Sequence, residues 1–136
     1  NLQPKFRTIR YDNMKSAMAE ENVIALALKV PALLDQTREL KGEIFSSALL
    51  GRVYDQLVQC HEEGHEVSLA VLSDFSAEEM SHIAGILQRQ QGPVNEQALA
   101  DCVRTIQAEY RKANVSTEDD LLALRERMKE RKGIKE

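Results

Sequence analysis

Residues 95–133 read as two amphipathic helices joined by a very short turn, each with one narrow apolar stripe to bury. In the first, from Glu96 to about Ala113, Leu99, Val103, Ile106, Tyr110 and Ala113 recur at alternating steps of four and three. The second opens on Ser116 as a candidate N-cap, with Asp119 three residues on. Glu118, Asp119 and Asp120 crowd its first turn, where the helix dipole favours anions. It closes with Lys129, Arg131 and Lys132 before Gly133, the basic last turn and glycine of a helix end. Leu121, Leu124 and Met128 form its stripe and are expected to face Val103, Ile106 and Tyr110. Leu122 falls on a flank with Arg125 and Lys129. Two single-stripe helices seal each other as an αα-hairpin and leave their outer faces polar and available. That is a shape for gripping a partner rather than for housing a reaction.

The rest of the chain must supply the core, and it is aliphatic. Aromatic residues are only 4% of the 136, against 43% hydrophobic overall, so Leu, Ala, Val and Ile at helical spacing carry the packing. No alternating, β-branched run reads as a strand, and the fold class is all-α: a helical bundle followed by a C-terminal αα-hairpin. The length suits one domain with an appendage. A net charge of −4 argues against a free-standing nucleic-acid binder. Cys60 and Cys102 sit within helical patterns beside apolar neighbours and read as small hydrophobes rather than a disulfide. With no N-terminal apolar signal region and no run of 18 apolar residues, a cytoplasmic chain is expected. It begins at Asn1 rather than Met, which reads as a piece of a longer polypeptide.

Punctuation divides the chain into residues 1–10, a linker from something upstream, then a bundle over 11–94 and the hairpin over 95–136. A helix over about 13–29 carries Met14, Ala17, Met18, Val23, Ala25, Leu26 and Leu28. Pro31 opens a short helix, where proline is tolerated. A longer helix follows Gly42, capped by Ser46 or Ser47, with Leu49, Leu50, Val53, Leu57 and Cys60 inward and Gly64 at its end. Ser68 caps a short segment. Ser76 and Glu79 form a capping box for a helix whose buried face is Met80, Ile83, Ala84 and Leu87. Gly92 and Pro93 stop that helix, and Asn95 caps the next.

One motif looks catalytic. His61-Glu62-Glu63-Gly64-His65 fits H-E-x-x-H, which places two zinc ligands one turn apart with a glutamate as base. That chemistry needs both histidines within the helix, yet Gly64 is the natural residue just past a helix end, so His65 should lie beyond it. A third ligand is not evident, and no metal or cofactor is expected. The phosphate-loop, dinucleotide and nucleophile-elbow patterns are missing.

The opening NLQPKFR, the segment EEGHE (residues 62–66) and above all the tail IQAEYRKANVSTEDDLLALRERMKERK (residues 106–132) resemble the C-terminal, helicase-binding domain of bacterial DNA primase, of a low-GC Gram-positive type. The resemblance spans essentially the whole chain. It implies an adaptor without catalysis of its own, whose parent is a DNA-directed RNA polymerase, a nucleotidyltransferase of the primosome. In that family the hairpin docks on the N-terminal domains of the hexameric replicative helicase during DNA replication, and in some members the domain also receives the acidic tail of single-stranded-DNA-binding protein. EEGHE is there a structural helix end. Residues expected to meet the partner are Tyr110, Leu121, Leu122, Arg125, Met128, Lys129, Arg131 and Lys132. The turn over residues 113–117 is tighter than in some relatives. Two other readings stay open: the N-terminal domain of the helicase itself, which shares this fold, and a small zinc hydrolase built on His61 and His65.

Overall fold

Residues 23–28 are an unbroken apolar run within a longer helical pattern, which suits a helix in the middle of a bundle rather than at its edge. In the computed structural model, which describes residues 11–90 and 92–115, this helix, α1 (Met14–Lys29), is the element against which the three other α-helices pack. Helices α2 (Ala48–Glu62), α3 (Ala77–Arg89) and α4 (Glu96–Val115) surround it, α4 most extensively. Short 3₁₀ turns lie at Pro31–Gln36, Gly42–Ile44 and Leu69–Val71. The fold is all-α, with no strand among the described residues. Ala17, Ala25 and Ala27 are buried on α1 and hold little volume, which leaves room for neighbouring helices to pack against it.

The helix starts lie where the side-chain oxygens place them. Asn13 Oδ1 accepts from Ser16 N–H, Ser47 Oγ from Leu50 N–H and Asn95 Oδ1 from Ala98 N–H. At α3 the capping box is complete: Ser76 Oγ accepts from Glu79 N–H, and Glu79 Oε1 accepts from Ser76 N–H. Ser47, not Ser46, caps α2, because Ser46 is committed elsewhere. Its N–H and hydroxyl both donate to Oε2 of Glu20 (2.6 and 2.8 Å), and Ser47 N–H donates to Oε1 (3.2 Å). Ser16 Oγ adds a fourth bond from α1 itself, and Glu20 is fully buried. A carboxylate from the central helix thus sits at the start of α2, where orphan N–H groups and the dipole both favour an anion.

The core is aliphatic with one aromatic pair, Phe45 stacked on Tyr54 at 5.1 Å. Tyr54 is buried, so its hydroxyl requires a partner: it donates to Thr37 Oγ1 (2.7 Å), and the Thr37 hydroxyl in turn donates to the Leu34 carbonyl. Burial pushes the Tyr54 hydroxyl up to about 12. No buried polar side-chain atom among the described residues lacks a partner.

Packing departs from the bare apolar pattern at two places. Met14 and Met18 belong to α1 but not to its buried side; they are 58% and 56% exposed. On a helical wheel they share an arc with Lys15, Asn22 and Lys29, the polar side of that helix. The stripe of α4 is expected to face a hairpin partner that lies outside the described residues; its Leu99 and Ile106 are buried in the same core as α1, α2 and α3. Glu109 ties α4 to the start of α1 by accepting from Asn13 Nδ2 (3.1 Å), with Lys112 and Lys15 beside it. These partners, Asn13 first, hold its carboxyl below the ordinary range. The first arm of the expected hairpin is therefore a wall of the bundle as far as Glu109. On α3, Ile86 joins Ile83 as a fully buried residue, while Met80, Ala84 and Leu87 are half-buried.

Candidate functional site

The motif that looked catalytic is a helix end. Gly64 has φ +82°, its N–H bonds to the His61 carbonyl (3.0 Å), and His65 N–H bonds back to the Cys60 carbonyl (3.1 Å). These two bonds close a Schellman motif, which uses a residue in the left-handed region to satisfy the last carbonyls of α2. His65 is consequently beyond the helix and exposed, while His61 Nε2 lies 3.0 Å from Asp35 Oδ1. Two zinc ligands one helical turn apart are not formed. Among the described residues no group of three or more His, Cys, Asp or Glu is placed to hold a metal ion. Cys60 is a buried free thiol bonded to the Glu66 carbonyl, and Cys102 is a half-buried free thiol whose pKa is raised, chiefly by burial.

Of the residues expected to meet a partner, Tyr110 lies on the last turns of α4. It is 39% exposed and begins an open stretch with Arg111, Lys112 and Ala113. Leu121, Leu122, Arg125, Met128, Lys129, Arg131 and Lys132 lie outside the described residues, as do the turn at 113–117 beyond Val115 and the linker 1–10.

A second surface was not anticipated from the sequence. Between α1 and α3 runs an open groove of about 460 Å³, walled by Met14 and Met18 with Ile86 at its base. A polar cluster closes one side. Tyr11, from the segment before α1, donates its hydroxyl to Glu21 Oε2 at 2.5 Å and stands 2.5 Å from His82 Nε2 on α3. Arg89, at the end of α3, reaches the same Glu21 oxygen at 3.2 Å, and His82 Nε2 lies 3.7 Å from it. Gly85, one turn earlier, leaves the room across which the Arg89 guanidinium lies back. Burial raises the Tyr11 hydroxyl well above its usual range, and the bond to Glu21 raises it further.

Burial lowers the His82 pKa below 6.5, and repulsion from Arg89 adds to that, against the opposing pull of Glu21. The folded state therefore binds the His82 proton less readily than the unfolded chain does. Stability is full above 6.5 and is lost as pH falls from 6.5 to the lowered folded value. Denaturant midpoints measured from pH 7.5 to 5 are expected to fall in the parent and to flatten in His82→Gln. An unchanged slope in that variant would assign the effect to other groups.

The signal for the groove was present but unread: two methionines one turn apart on the polar arc of α1. Methionine is flexible and polarizable and serves well on adaptable binding surfaces.

Compared with known proteins, the chain matches no family model, no curated protein and no solved structure. No helix among the described residues is long and apolar enough to cross a membrane.

Proposed function

We propose that this chain is the helicase-binding domain of a bacterial DNA primase, an adaptor that performs no chemistry itself and brings the primer-synthesising parent to the hexameric replicative helicase in the cytoplasm. The observation that carries the reading is α4. Its first part is anchored by Leu99, Ile106 and Glu109, its residues 110–113 are exposed, and the sequence that follows resembles the family's docking hairpin. A helix anchored in the bundle along its first part and exposed at residues 110–113 is a mount for a contact element. The partner-binding residues of this proposal are Tyr110, Leu121, Leu122, Arg125, Met128, Lys129, Arg131 and Lys132. The His61–His65 pair adds no support for a hydrolase, since the Schellman motif separates the two rings.

The test is co-elution of the 136-residue chain with a hexameric replicative helicase from a Gram-positive bacterium, and titration of variants against it. Leu122→Glu is expected to weaken the complex by about 2 kcal/mol, roughly thirtyfold, with little change in melting, as for an interface anchor. Parent-like binding by this variant would move the grip away from the Leu122 flank. Failure of the parent chain to bind any such helicase would overturn the reading.

The groove between α1 and α3 suits the second partner implied by the family, an acidic protein tail. Exposed Met14 and Met18 offer apolar contact, Arg89 lines the groove as the partner of Glu21, and Lys29 lies beside it through its bond to Gln90 on the groove wall. Apolar contact beside a guanidinium is what a segment mixing carboxylates and apolar side chains requires.

A further inference from the structure

The groove's own carboxylate stands where an incoming one would have to bind. Glu21 Oε2 is shared by three groups: the Tyr11 hydroxyl at 2.5 Å, Arg89 at 3.2 Å and His82 at 3.7 Å. An ionised carboxylate only accepts, so Tyr11 must donate its one proton to Glu21. The Tyr11 oxygen is then an acceptor, and His82 Nε2, 2.5 Å away, must be the donor. Neutral His82 is thereby fixed with its proton on Nε2, and the next proton goes to Nδ1. Tyr11, Glu21 and Arg89 are the titratable or charged groups that face His82, from the segment before α1, from α1 and from α3 itself.

We propose that this cluster gates the groove by charge: with His82 neutral, Glu21 holds Arg89, and protonation of His82 at Nδ1 sets a second cation beside Glu21, loosens its hold and frees Arg89 for a carboxylate of the bound segment. The gate rests on the reading of the groove as a site for an acidic segment. With His82 neutral, Glu21 and Arg89 cancel, and the cluster offers an anion no net charge. With His82 protonated, two cations face one carboxylate and the cluster carries a net positive charge. Arg89 is the one free to move, since its side chain is 52% exposed while that of His82 is 20% exposed. Linkage makes the coupling reciprocal: an acidic segment in the groove raises the pH at which His82 titrates.

The probe is a short fluorescent peptide alternating aspartate and leucine, titrated against the full chain by anisotropy, with the asparagine–leucine peptide as control. Between pH 7.5 and 5.5 the aspartates stay ionised, and affinity is expected to rise about fivefold, within the usual range of a coupling between sites. His82→Gln keeps a donor for Tyr11 but takes no charge; it should bind as the parent does at pH 7.5 and show no rise. Glu21→Gln should bind more tightly than the parent at pH 7.5, and Arg89→Gln should lose binding. Binding that needs Arg89 and Met18 but ignores pH and the Glu21→Gln change would overturn the gate and leave the docking groove standing. Binding insensitive to Arg89→Gln and Met18→Glu, or none at either pH, would overturn the docking reading and the gate with it.

Discussion

Replacing Glu20 with alanine is expected to cost about 4 kcal/mol, the order reached when several donors bonded to one buried carboxylate lose their acceptor together. The carboxylate itself is not what destabilises the variant. Its loss strands the N–H groups of Ser46 and Ser47 and the hydroxyls of Ser16 and Ser46, all of which bond to it. Each buried donor left without an acceptor costs about 1–3 kcal/mol, and only Ser46 is placed where water reaches it easily. Glu20→Gln keeps one carbonyl oxygen for the Ser46 pair but turns an amide N–H₂ toward another donor, so it should lose about half as much. Thermal melting checks both, with a fall of more than about 10 °C for the alanine variant. A Glu20→Ala protein that melts like its parent would mean that α1 does not hold the start of α2 through this contact.

Most of the helix boundaries were legible because they depend on residues acting over three or four positions. Asn13, Ser76 with Glu79, Asn95 and Gly64 each do what local chemistry requires, and no distant contact overrides them. Glu20 was not legible in the same way. In sequence it is one of two adjacent glutamates amid the apolar residues of its helix, and its role depends on serines 26 and 27 residues away. The same holds for the choice between Ser46 and Ser47 as cap: local pattern admits either, and a carboxylate from another helix decides it.

The surfaces divide along the same line. The apolar stripe of α4 was visible, but a stripe says only that a face is covered and not by what; α1 covers Leu99 and Ile106. The Tyr11–Glu21–His82–Arg89 cluster draws on three separate segments of chain and has no local signature. Its neighbours Met14 and Met18 did have one, since an apolar residue on the same arc as Lys15, Asn22 and Lys29 is exposed unless something else sits on it. The tail from Ser116 remains a statement about sequence, and it supplies the family resemblance on which the helicase contact is proposed.

Gly51→Ala is the sharpest test of how the 3₁₀ turn at Gly42–Ile44 seats against α2. In an open helix this change gains stability, up to about 1 kcal/mol, because alanine has the better helix propensity. Here a methyl group at position 51 would stand 2.4 Å from the Gly42 carbonyl oxygen, a contact with backbone that no side-chain rotation relieves. The reverse substitution meets the same wall, with a Cβ at Gly42 falling 2.3 Å from the Gly51 oxygen and 2.5 Å from Asp55 Oδ2. Asp55 also accepts the Gly42 N–H at 2.9 Å, so pushing the turn outward breaks that bond as well. Overpacking against a rigid neighbour costs about 3 kcal/mol, which outweighs the propensity gain and fixes the sign as destabilising. Gly51→Ala and Gly42→Ala should each lower the denaturant midpoint without changing the slope. Combined, they should cost less than their sum, because the first displacement of the turn makes room for the second methyl group. A stabilised Gly51→Ala protein would show that the turn does not lie against α2 in solution, and the hold of Asp55 on Gly42 would go with it.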